Sequence, residues 1–166
     1  MISFTSAQLD AWIAAFFYPM VRILALLAAA PPFSNAAVPM RIKLILGLAI
    51  SLALVPTLPA LPPISPGSGE GMLILGQQML IGMAMGFAMR LTVAAIDYAG
   101  EVIGLQMGLG FATFYDPNNT SQTPVVSEFL SLLGLLVLLS INGHLMIMAT
   151  LSHSFTVLPI VGTSLA

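Results

Sequence analysis

Met72 to Gly108 reads MLILGQQMLIGMAMGFAMRLTVAAIDYAGEVIGLQMG, an apolar stretch with no proline anywhere in it. A helix over these residues would run roughly 55 Å at about 1.5 Å per residue. That exceeds the ~30 Å hydrocarbon core of a bilayer, so part of it must leave the membrane or bend. Gly82 and Gly86 are four apart, and Gly100, Gly104 and Gly108 repeat the spacing, placing bare backbone along one helical face where a second helix can approach. Arg90, Asp97 and Glu101 also fall near one side, since seven and then four residues make nearly whole turns. Asp97 and Glu101 repel each other at this spacing, which an external basic partner would relieve. A proton relay is the alternative reading of the same carboxylates.

Composition agrees with that stretch. Apolar residues make up 58% of the chain and charged residues 6%, with a mean hydropathy of +1.04. Four basic and six acidic side chains among 166 residues cannot clothe a soluble core, so the surroundings are lipid or other protein. The net charge of −2 comes without a basic patch, which argues against nucleic acid. No cysteine is present, excluding disulfides, thiolate metal sites and a cysteine nucleophile. The opening MISFTSAQLD lacks the basic start and cleavage site of a signal peptide, so the first apolar run reads as a retained span.

That run extends from Leu9 to Ala30, with Thr5 and Gln8 resembling a capping box before it and Pro31-Pro32 ending it. Pro19 is expected to kink it, and Arg22, costly in lipid, is expected to pair with another subunit. Pro39 suits the start of a second, shorter helix carried by Ile42 to Val55. Residues 61–71 (LPPISPGSGEG) read as an exposed loop. Pro124 opens a further helix through Leu139, Asn142-Gly143 breaks it, and another helix continues to Leu158-Pro159. Arg41 and Lys43 cluster at the start of the second helix, with Asp10 and Glu70 at the opposite ends. This places the amino terminus outside and the Arg41 turn toward the cytoplasm. The fold class is an all-α integral membrane protein, one membrane domain over 1–166 built of hydrophobic helices and helical hairpins around an irregular loop.

No HExxH, Walker, GxSxG or paired-cysteine pattern occurs, so no catalytic residue, cofactor or metal site is assigned and the chain does not read as an enzyme. His144 and His153 lie two and a half turns apart, on opposite helical faces. The informative stretch is the loop over 108–123, where Gly108, Gly110, Phe111, Ala112, Thr113 and Phe114 precede Asp116-Pro117. Irregular backbone at membrane depth is tolerated only inside protein or along a cavity. The two phenylalanines can obstruct a narrow passage while the glycines let the backbone move. The same residues can also form a re-entrant turn whose aromatics simply pack.

Phe4-Thr-Ser-Ala-Gln-Leu-Asp10, Gly104-Leu-Gln-Met-Gly-Leu-Gly-Phe-Ala-Thr-Phe114 with Asp116-Pro117, Ser121-Gln-Thr-Pro124 and Leu139-Ser-Ile-Asn-Gly-His144 together resemble the FliR/SctT family of type III export gate subunits. The flagellar branch is the nearer one. The resemblance implies a subunit of a helical pore assembly, joined with FliP and FliQ and neighboured by the FlhB-type subunit, through which unfolded flagellar proteins pass. It further implies an inner-membrane location at the flagellar basal body, a plug at Gly110 to Phe114, and a FliP-like front part. The family's FliQ-like rear half has no counterpart in these 166 residues. The competing reading is a fragment of a small-molecule secondary transporter, whose broken helices and intramembrane charges would form a midplane site.

Overall fold

The computed structural model describes residues 6–34, 38–58, 64–108 and 124–160. Six α-helices occupy them: α1 (Ser6–Ala29), α2 (Pro31–Ser34), α3 (Met40–Leu54), α4 (Gly69–Gln106), α5 (Val125–Ser140) and α6 (Gly143–Val157). A 3-10 turn over Val55–Thr57 follows α3. No strand occurs among the described residues, so the all-α class holds. Among the described residues three helices are long and apolar enough to cross a membrane, with α5 and α6 forming a fourth candidate if counted as one broken span.

Prolines and glycines bound these helices for identifiable reasons. Pro31 and Pro32 open α2, a first-turn position where a missing N–H costs nothing. Pro39, at φ −58°, is pre-set for the entry into α3. Ser68 caps α4, its hydroxyl accepting from Gly71 N at 3.0 Å and donating to Ser65 O at 2.7 Å. Helix α4 therefore starts at Gly69, and Gly71, expected in an exposed loop, is helical and buried beneath the Tyr18 hydroxyl. Asn142, at φ +56°, makes the break before α6.

The chain divides into two compact units: residues 1–87 with 147–166, and residues 88–146. In the first, Gly47 of α3 lies against the side chains of Leu24 and Leu27, while Leu27 and Leu46 line a common cavity. Helices α1 and α3 therefore pack against each other. A Cβ at Gly82 would meet Ala25 Cβ at 2.8 Å, and one at Gly86 would meet Ala29 Cβ at 2.5 Å. Positions advance together there, so the front of α4 runs parallel to α1. Buried Ala14, Tyr18, Ile23, Leu26, Ile74, Leu151 and Phe155 fill this unit. In the second unit Gly100 faces the Ser127 backbone and Gly134 faces Ile96, an antiparallel pairing of the rear of α4 with α5.

Substituting Gly82 by Ala should destabilise the protein by about 1–3 kcal/mol, because the added methyl has neighbours and no space. Gly76, where a Cβ would meet nothing beyond its own helical turn within 4 Å among the described residues, should accept Ala with no loss and a gain of up to about 1 kcal/mol. Thermal unfolding followed by circular dichroism in detergent checks the pair. Equal losses at both positions would contradict the packing.

Candidate functional site

Arg22 is completely buried on α1, and the chain itself supplies its acceptors. Its Nε donates to Gln78 Oε1 at 2.8 Å, one terminal nitrogen donates to Ser154 O at 2.9 Å and Oγ at 3.2 Å, and the other donates to Leu158 O at 2.8 Å. The Phe155 ring lies 4.2 Å below the guanidinium carbon. Arg22, expected to pair across a subunit boundary, is thus satisfied within its own unit. The physical reason is at the end of α6. Its last turn carries no basic residue, Pro159 follows without an N–H, and its terminal carbonyls form the negative end of the helix dipole. A guanidinium from another helix supplies both donors and charge.

The clamp has a loose end, since Gln78 Nε2 is buried without a hydrogen-bond partner among the described residues. Its Oε1 already accepts from Arg22, which fixes the amide orientation. A polar Gln77-Gln78 pair inside an apolar run was the visible sign that something buried needed an acceptor. Ser154, Phe155 and Leu158 had no such sign. Tyr18, one turn before Arg22, donates to Ile64 O at 3.1 Å and so ties α1 to the entry of α4.

In the second unit Asp97 is half-buried, and its carboxylate accepts a hydrogen bond from Ser131 while its backbone oxygen accepts from Ser127 Oγ at 2.8 Å. Ser127 and Ser131 are one turn apart on α5, so both hydroxyls meet one residue of α4. Arg90 and Glu101 are exposed and have no ion-pair partner among the described residues, so the polar edge is not joined by internal pairing.

The glycines separate by partner. Gly82 and Gly86 meet α1 and Gly100 meets α5, whereas a Cβ at Gly104 has nothing within 4 Å among the described residues. Gly108 lies at the end of α4 with φ +72°, its N–H bonded to Leu105 O at 3.0 Å. This left-handed cap is a conformation that favours glycine. Gly110, Phe111, Ala112, Thr113 and Phe114 lie outside the described residues. His144 and His153 are both exposed, and no group of three or more potential metal ligands forms among the described residues.

Apolar helices with a buried cationic clamp and glycine seams define a membrane protein of assembled helices. Residues 13–166 match the family described as Bacterial export proteins, family 1, and the chain belongs to that family. It is similar to the flagellar biosynthetic protein FliR of Pectobacterium carotovorum subsp. carotovorum, 46% identical over 96% of this chain and 61% of the relative. The FliR of Escherichia coli K12 is 43% identical over 99% of this chain and 63% of its own length. That of Bacillus subtilis strain 168 is 30% identical over 85% and 54%. The chain therefore spans somewhat over half the length of these curated relatives.

Four bonds between elements, at roughly 0.6 kcal/mol each in membrane proteins, put the clamp near 2.4 kcal/mol. Orphaning Gln78 adds about 1–3 kcal/mol. Arg22→Leu should accordingly cost about 3–5 kcal/mol in a denaturant titration in detergent, and Arg22→Lys less. With Gln78→Leu added, the double change should cost less than the two single changes together. Strict additivity would show that the two side chains act independently.

Proposed function

We propose that the chain is a subunit of the flagellar type III protein export gate. It assembles with FliP- and FliQ-type proteins into the entry pore for unfolded flagellar proteins, in the inner membrane at the basal body, beside the FlhB-type subunit. The observation that carries this reading is the family match over residues 13–166, together with relatives named for flagellar biosynthesis.

Exposed charge supports it. Arg90 and Glu101 stand on a helix of 38 apolar-rich residues with no internal ion-pair partner among those described. Such groups are expensive in lipid and normally face protein or a water-filled cavity. In an apolar 18-residue stretch of each of the spans Met40–Thr57 and Gly69–Gln106 only 11% of the residues are buried within the chain, which leaves surface for neighbouring helices or lipid. Coexpression with FliP- and FliQ-type subunits should raise yield and protease resistance over expression alone. No change in either would remove the support drawn from the unpaired charges.

Position also favours a plug over 108–123. The antiparallel α4–α5 pair holds both ends of that segment, and Gly108 at its root has a backbone conformation few other residues adopt. In this reading Phe111 and Phe114 obstruct the closed pore, and Gly108 and Gly110 let them move aside. Deleting Gly110 to Phe114 in an otherwise complete gate should leave export partly active while the membrane leaks ions. Replacing Gly108 and Gly110 with Val should instead seal the membrane and impair export. Membrane conductance measured beside subunit abundance checks both. A deletion present at normal abundance that leaks no ions would overturn the plug.

A further inference from the structure

The rear of α4 has a second face, turned away from α5. Ile96 and Gly100 meet α5. Tyr98, two residues before Gly100, is about 200° round the helix from it and more than half exposed. Leu91, Ala94, Tyr98, Glu101 and Leu105 follow one another at steps of three, four, three and four, and all five are exposed. That spacing packs a straight partner helix knobs-into-holes at a crossing angle near 20°, here over about 21 Å. Val125, Phe129, Leu132 and Leu136 make a comparable exposed row on α5, but it is apolar throughout and selects no partner.

Charge distinguishes the row on α4. Glu101 stands within it, and Arg90 lies beside it, 11 residues earlier and about 16.5 Å away along the axis. Neither has an ion-pair partner among the described residues. A helix laid along the row would enclose the Glu101 carboxylate, and an enclosed charge is strongly destabilising unless a counter-charge meets it. Hydrocarbon brings no counter-charge, and a water-filled channel would leave Leu91, Ala94 and Leu105 in water. We propose that this face receives one helix of another gate subunit, with a Lys or Arg at the level of Glu101 and an Asp or Glu at the level of Arg90. The inference rests on the gate reading above and adds to it the face, the register and the charges of the partner. One polar position in an apolar row fixes register, because every other alignment leaves its charge unmet. A second copy of this chain laid antiparallel would also bring Arg90 near Glu101, so the test separates the two.

The test uses the full chain coexpressed with FliP- and FliQ-type subunits. With Tyr98 replaced by photo-reactive benzoylphenylalanine, the chain should cross-link to one of them. Mass spectrometry of the joined peptides should find a Lys or Arg within a turn of the joined residue and an Asp or Glu about 11 residues from it. Glu101→Lys should lower the complex recovered per copy of this chain at least about tenfold through like-charge contact, and exchanging the identified basic partner for Glu should restore it. Glu128→Lys, on α5 and outside the row, should change recovery less than about twofold, as exposed charges away from a contact do. Should Glu101→Lys unfold the chain by circular dichroism, the cross-link decides together with Glu101→Gln, which should lower recovery at least about fivefold. The proposal is overturned by a cross-link to a second copy, by a joined helix that lacks either charge, or by no cross-link to protein. Full recovery with Glu101→Lys, or equal losses at Glu101 and Glu128, also overturns it. If the unaltered chain assembles with neither subunit, the gate reading falls and this inference with it, whereas assembly that ignores Glu101 removes this inference alone.

Discussion

Arg22 must have its guanidinium hydrogen-bonded before anything around it can pack, because an unpaired cation away from water is among the most costly groups a membrane protein can contain. The fork geometry of arginine lets one side chain reach Gln78 on α4 and two carbonyls at the end of α6 from its place on α1. A lysine would present a single point of charge. The helix that receives it benefits equally, since the exposed carbonyls and dipole of α6 meet the one type of group that complements both. Phe155 below the guanidinium adds a cation–π contact on the face that carries no N–H. Three helices are therefore oriented by one residue.

Close backbone approach is the second condition, and glycine provides it twice with opposite polarity. Gly82 and Gly86 bring α4 parallel to α1, against the alanines at 25 and 29, while Gly100 brings α4 antiparallel to α5 at Ser127. Lipid tails are as apolar as leucine, so such seams are held by dispersion and by a few interhelical hydrogen bonds and not by exclusion of water. Ser127 and Ser131 supply those bonds in the second unit by donating to Asp97. The carboxylate accepts from the Ser131 hydroxyl, and the backbone oxygen from Ser127, where the sequence alone suggested a basic partner.

Helix limits were legible because proline and glycine act locally. Pro39, Pro124 and the Asn142-Gly143 break stand within a residue of the observed ends of α3, α5 and α6. The glycine spacing was legible for the same reason, since a four-residue step fixes a helical face. Which partner each glycine meets was not, because that depends on how distant segments cross. Gly104 continues the spacing yet meets no described atom, and Gly71, outside the pattern, is buried under Tyr18. Arg22 shows the limit most clearly: its cost in lipid is written in the residue and Gln78 hinted at one acceptor, but at the end of α6 it meets the backbone carbonyls of Ser154 and Leu158, which every residue has and no sequence marks.

The separation of those acceptors has a consequence for the growing chain. Gln78 comes 56 residues after Arg22, and Ser154 comes 132 residues after it. At about 5–20 residues per second the ribosome delivers the first partner roughly 3–11 s later and the second roughly 7–26 s later. Through that interval the guanidinium has at most one of its three sets of acceptors. It needs water, a lipid headgroup or the insertion machinery to hold its charge. Helix α1 therefore cannot settle at its final depth when it emerges. Its last adjustment waits until the end of α6 has been made.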